Sequence, residues 1–201
     1  MRWPRIVILA LLVLIVGSIL HYTLPQRDIA RITGTEIIRQ DFSGLNRIFY
    51  AQGDSGNAQT ESRDLRLINS VLASGDVMVY RNEDTGFGWP PYFKFDSADL
   101  HAEAANLAST ADDPGWVAIT HYGWRSRLLT TYPNAVAITP VAGPEVSLFP
   151  WLNIVILLIL AVLLFMAWRI WERFEDRVID PLLDRSSVRW AKMKDRFAGR
   201  G

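Results

Sequence analysis

The chain of 201 residues contains no cysteine. Disulfides, thiol nucleophiles, iron–sulfur clusters and cysteine-based zinc sites are therefore excluded, and an exported domain must be held together by its core alone. Histidine is scarce too, with only His21, His101 and His121. No HExxH, HxH or DxDxDG-type loop occurs, so no metal site is expected, and the "DSADLH" segment is accounted for by helix capping. A GxSxG elbow is absent, as is a phosphate-cradling glycine loop leading into a helix. Glu83 and Asp84 are neighbours on a strand reading and point to opposite faces, which defeats a general acid–base pair. No enzyme activity, catalytic residue or cofactor is expected.

Charge is missing from two long stretches. No Asp, Glu, Lys or Arg lies between Ile6 and Gln26 or between Val146 and Trp168. Residues 6–24 and 149–168 each match a hydrocarbon core of about 30 Å at 1.5 Å per helical residue and read as transmembrane helices. Arg2 and Arg5 give the first the look of a signal peptide, yet His21, Tyr22, Thr23, Leu24 and Pro25 offer no small-residue cleavage site. The second is apolar all round and bracketed by Trp151 and Trp168, as interface residues bracket a span.

Basic residues set the orientation. Residues 1–5 carry Arg2 and Arg5, and residues 169–201 carry nine Lys and Arg against six Asp and Glu. Between Leu128 and Trp168 there is neither Lys nor Arg. The positive-inside rule places both termini in the cytoplasm and residues 25–148 outside. That outer segment holds ten basic and fifteen acidic residues, which argues against nucleic acid as its partner. With no cysteine and no N-x-S/T sequon, the pattern points to a bacterial inner membrane facing a periplasm.

The outer segment reads as strands at 28–41, 47–52, 63–72, 76–84, 115–124 and 134–141, rich in β-branched and aromatic residues. One helix interrupts them after Asp96 or Ser97 as N-cap, with Leu100, Ala104 and Leu107 on one stripe. Such an order suggests a small OB-like β-barrel with its helix between strands 3 and 4, flanked by the two spans and a C-terminal amphipathic tail. A plain antiparallel sheet with a packed helix is the alternative.

The crossing from the third strand to the helix, "TGFGWPPYFKFD", is unusually aromatic. Pro90 and Pro91 favour an extended, polyproline-like path, after which Tyr92, Phe93 and Phe95 re-enter the fold. Residues 85–95 thus form either a plug beneath the barrel or a binding groove. On the strand 115–124, alternation puts Trp116, Tyr122 and Trp124 on one face. With Trp89, Tyr92 and Arg125 they make up the candidate partner or ligand surface. In the tail, Ile170, Trp171, Phe174 and Val178 form one stripe, and Trp190, Met193 and Phe197 form another after Pro181. The second is surrounded by Arg and Lys and suits an anionic lipid leaflet at the cytoplasmic face.

The runs "VYRNEDTGFGWPPYFKFDSADL", "WVAITHYGWRSRLLTTYPNAVAITPV" and "PWLNIVIL" resemble a family of bacterial inner-membrane proteins known only as a domain of unknown function. The resemblance implies two spans around an exported β-rich domain and assigns no site residue. From the residues themselves, the first reading is a non-catalytic accessory or assembly protein that presents its barrel to another inner-membrane or periplasmic protein. A periplasmic ligand-binding sensor and an envelope hydrolase are the alternatives.

Overall fold

The computed structural model describes residues 3–41 and 62–179. It divides into two compact units, Met1–Pro150 and Trp151–Gly201. The first contains α1 (Trp3–Thr23), β1 (Gln26–Asp41), β2 (Ser62–Leu72), β3 (Val77–Arg81), α2 (Ser97–Asn106), β4 (Trp116–Tyr122) and β5 (Asn134–Pro140). The second contains α3 (Trp151–Phe174), followed by a π-helical turn at Glu175–Ile179. The expected strand at 47–52 and the tail stripe of Trp190, Met193 and Phe197 lie outside the described residues.

Both α1 and α3 are long and apolar enough to cross a membrane, and no residue in the apolar window of either is buried. The second helix runs past the expected boundary at Trp168, because residues 169–174 keep good helix formers and Arg169 pairs with Glu172 at 2.9 Å across one turn.

Five strands close into a barrel in the order β1-β2-β3-β5-β4. Strand β1 makes this closure by its length: its first part pairs with β4 from Gln26 to Arg31, and it pairs with β2 from Ala30 to Asp41. A register irregularity between Ile32 and Gly34 lets the strand bend between its two partners. All pairings are antiparallel except β3 with β5, which meet in parallel at Arg81 and Asn134. The core is built from Ala30, Ile32, Ile68, Tyr80, Val117, Ile119, Ala135 and Ile138, and Leu100 and Ala104 of α2 complete it. A second apolar cluster, Leu65 and Leu67 with Ile38, Val79 and Tyr132, adds to β1–β3.

Two local expectations are corrected. Strand β3 ends at Arg81 instead of residue 84: the Arg81 amide turns to the Pro133 carbonyl, the Asn82 amide makes a last bond to the Arg66 carbonyl of β2, and the Glu83 amide goes to a side chain, Asn134 Oδ1, at 2.9 Å. Helix α2 starts after Asp96, as expected, but its capping bond is not a local one. Asp96 occupies the N-cap position without a side-chain cap bond, and the carboxylate that serves the helix comes from Asp84. Its Oδ1 accepts from the Ser97 amide and its Oδ2 from the Ser97 hydroxyl, each at 2.8 Å.

Asp84→Ala is expected to lower barrel stability by about 1–2 kcal/mol, the usual loss for a removed cap. Asp96→Ala should leave it nearly unchanged. Thermal unfolding of both variants in detergent, followed by circular dichroism, checks the contrast.

Candidate functional site

Three of the six residues singled out from the sequence, Tyr92, Tyr122 and Trp124, gather where α1 enters the barrel, with Arg125 next to them in the chain. Tyr92 stacks on Tyr122 with ring centroids 4.7 Å apart and planes inclined by 10°. Tyr22 of α1 meets Tyr122 and Trp124 edge-on, at 6.2 and 5.3 Å. The Trp124 indole donates to His21 Nδ1 at 2.9 Å, and the Tyr92 hydroxyl donates to the Thr23 carbonyl at 2.7 Å. The Gly123 amide donates to the Tyr22 carbonyl at 2.9 Å. Gly123 has φ +94°, a left-handed conformation that favours glycine, although a Cβ there would make only ordinary contact with the Tyr22 ring at 3.6 Å. Arg125 lies 4.3 Å over the Tyr132 ring and donates to the Thr131 carbonyl.

This arrangement is a joint between helix and barrel, and it changes the reading of several aromatics. Tyr122 is buried, not displayed, and its neighbour His121 is buried beside it. The strict alternation read for β4 fails because the register with β5 shifts between Thr120 and His121. Trp116 does not join the cluster. It stands at the other end of β4, six residues and about 20 Å from Tyr122.

Residues 85–95 form neither the extended crossing nor the plug. They make a loop pinned at its base: the Thr85 and Gly86 amides donate to the Lys94 carbonyl, and the Lys94 amide donates to Thr85 Oγ1. Trp89–Pro90 is a cis peptide. Of the rings expected to re-enter the fold, only Tyr92 turns inward. Phe93 and Phe95 are 58% and 56% exposed, and Phe87 and Trp89 reach 86% and 70%. Phe87 makes edge contacts with Phe93 and Phe95 at 6.1 and 5.3 Å, so the outward rings form a cluster. Phe93 is held at φ +51°, a left-handed conformation that costs a bulky residue about 1–2 kcal/mol.

Beneath the loop lies polar support. Lys94 is almost wholly buried, and its ammonium donates to Asn82 Oδ1 and, at 2.8 Å, to the Ala135 carbonyl. Burial pushes its pKa down to about 8, against the opposing charges of Asp96, Asp84 and Glu83. Buried Arg81 pairs with Glu83 at 3.1 Å. At the start of β1, Asp28 Oδ2 accepts from the Tyr80 hydroxyl at 2.6 Å and lies 2.9 Å from His121 Nε2. Burial works to raise the Asp28 carboxyl, and the bonds from His121 and Tyr80 outweigh it, leaving it below its ordinary value. Burial raises Tyr80, Tyr92 and Tyr122. Among the described residues no group of three or more His, Cys, Asp and Glu side chains is placed to hold a metal ion.

Sequence reasoning passed over Lys94 and Tyr22. A lone lysine inside "PPYFKFD" was a signal for the first, and a tyrosine at the end of an apolar run was a signal for the second.

Stability should depend on pH in a defined way. The folded chain holds the Lys94 proton less tightly than the unfolded chain, whose lysine titrates at its ordinary 10.5. The unfolded state binds more protons between about pH 8 and 10.5, so stability rises across that window. Above pH 10 the three buried tyrosines ionise first in the unfolded chain, and stability falls. An optimum is expected between about pH 8 and 10. Keeping the buried lysine charged costs about 3 kcal/mol at neutral pH, and Lys94→Met should abolish the rise while leaving the alkaline fall. Melting temperatures measured from pH 6 to 11 distinguish the two profiles.

Residues 1–175 match the model of a family described as a protein of unknown function, DUF1523. A protein of Haemophilus influenzae, described as uncharacterized, is 36% identical over 150 residues, which cover 75% of this chain and 81% of that protein. No solved structure matches the chain significantly. The match across both apolar helices and the barrel between them shows that this chain belongs to the DUF1523 family.

Proposed function

We propose that the chain is a non-catalytic accessory or assembly protein of the bacterial inner membrane, holding an OB-type barrel at the periplasmic surface and presenting its outward face to a protein partner. The strand order β1-β2-β3-β5-β4, with a parallel seam between β3 and β5 and a helix between β3 and β4, supports the OB assignment. The excess of Lys and Arg beyond each apolar helix supports cytoplasmic termini. The basic tail would then lie on an anionic leaflet.

One observation carries the partner surface. Pairing places Trp116 opposite Arg31, Arg31 opposite Val71, and Val71 opposite Val77, so these four stand in one row across four strands. Ala30 and Ile32 point into the core, so the row faces outward. Val77 is 72% exposed, and Trp116, Arg31 and Val71 are partly buried. An aromatic and two valines flanking a guanidinium have the composition of an interface centre. The bonds of three ionisable groups support a non-catalytic role, since Asp84 caps a helix, buried Lys94 bonds two carbonyl oxygens and Asp28 joins two side chains.

The test is affinity purification of the tagged full chain from membranes in mild detergent, beside a Trp116→Ala/Val77→Asp variant and a Trp89→Ala/Phe93→Ala control. A stoichiometric partner should be recovered with the native chain and the control, and reduced more than about tenfold in the row variant, as for loss of an interface hot spot. A chain recovered alone in all three overturns the reading and favours a ligand-binding sensor.

A further inference from the structure

The outward rings of the 85–95 loop are the largest aromatic feature the partner surface leaves unused. The geometry points to their occupant: we propose that Phe87, Trp89, Phe93 and Phe95 insert into the headgroup layer of the bilayer that α1 spans, on the barrel's side.

The position of the loop follows from α1. Its 21 residues rise about 31 Å, close to the thickness of a hydrocarbon core, so a spanning α1 ends near the boundary with the headgroups. Thr23 is the last residue of that helix, and its carbonyl receives the Tyr92 hydroxyl at 2.7 Å. Tyr92 is therefore fixed at headgroup depth. Phe93 is one residue away and Trp89 three, within about 11 Å along the chain. Ring contacts tie Phe87 and Phe95 to the same cluster.

The residues fit that environment. Tryptophan and other aromatics are favoured at the membrane interface, whereas a cluster of exposed rings is a liability in water. The backbone serves the same end. Tyr92 and buried Lys94 face inward on either side of Phe93, whose left-handed conformation accompanies an outward ring. Pinning of residues 85, 86 and 94 to one another keeps the cluster presented as a unit.

This inference rests on α1 spanning a bilayer, and the experiment separates the two. The chain has no cysteine, so Phe87→Cys, Phe93→Cys, Asp76→Cys and Val13→Cys variants of the full chain each accept one environment-sensitive fluorophore. They are reconstituted into phosphatidylethanolamine–phosphatidylglycerol vesicles containing lipid spin-labelled at the headgroup or midway down the acyl chain. Phe87 is the most exposed of the four rings, so its replacement leaves the core intact. Labels at 87 and 93 are expected to shift to the blue and to be quenched by headgroup spin label several-fold more than the label at 76 in the β2–β3 turn. The label at 13 should respond to the deeper spin label. If 87 and 93 are quenched no more than 76 while 13 responds, the loop faces water or a protein and the inference fails alone. If 13 does not respond, the spanning reading fails and takes the inference with it.

Discussion

The end of a helix leaves four carbonyls without intrahelical partners. In α1 all four are met within this chain. Leu20 accepts from the Leu24 amide, His21 from the Gln26 side chain, Tyr22 from the Gly123 amide and Thr23 from the Tyr92 hydroxyl. Three of these four donors belong to the barrel or to the loop beside it. The terminus of the apolar helix is therefore completed only when the barrel has folded, and the stacked tyrosines are the packing that surrounds this exchange of hydrogen bonds.

Other features depend on the same constraint. Gly123 is tied to its conformation because its amide must reach Tyr22 beneath a tyrosine ring. Tyr122 is buried since both Tyr22 and Tyr92 pack on it, and its hydroxyl accepts from Asn134. Asn134 in turn receives the Glu83 amide and donates to the Glu83 carbonyl. Lys94 extends the network from the other side of the loop. A buried cation is an expensive way to bridge two oxygens, and its place at the base of residues 85–94 ties loop position to the β3–β5 region of the barrel.

Much of this architecture could be read in the sequence where the cause was local. Charge-free runs exposed both long helices, β-branched runs marked the five described strands, and their order around one helix led to a barrel. Non-local causes were invisible. Asp96 does hold the N-cap position of α2, but the carboxylate that serves the helix comes from Asp84, thirteen residues before the amide it meets, and no local pattern contains that bond. The shift in the β4–β5 register reassigns Tyr122 from display to burial, and no single-strand pattern contains that information. Proline pairs suggested an extended crossing for residues 85–95, whereas hydrogen bonds between its two ends fold it back. The six proposed surface residues were chosen as one patch; strand length separates Trp116 from Tyr122 and Trp124, and the folded loop turns Trp89 outward, away from Tyr92.

The seam between β3 and β5 has a further consequence. Elsewhere the barrel closes through ladders of several paired residues, but here Arg81 and Asn134 form the sole registered pair. Side chains from Asn134 and Lys94 supply bonds that a longer ladder would have supplied. A closure of this kind is a hinge in kinetic terms: the amides of Arg81 and Glu83 guard the shortest route by which the cylinder can part. Hydrogen exchange should therefore reach them through brief local openings while the β1–β2 ladder still requires global unfolding.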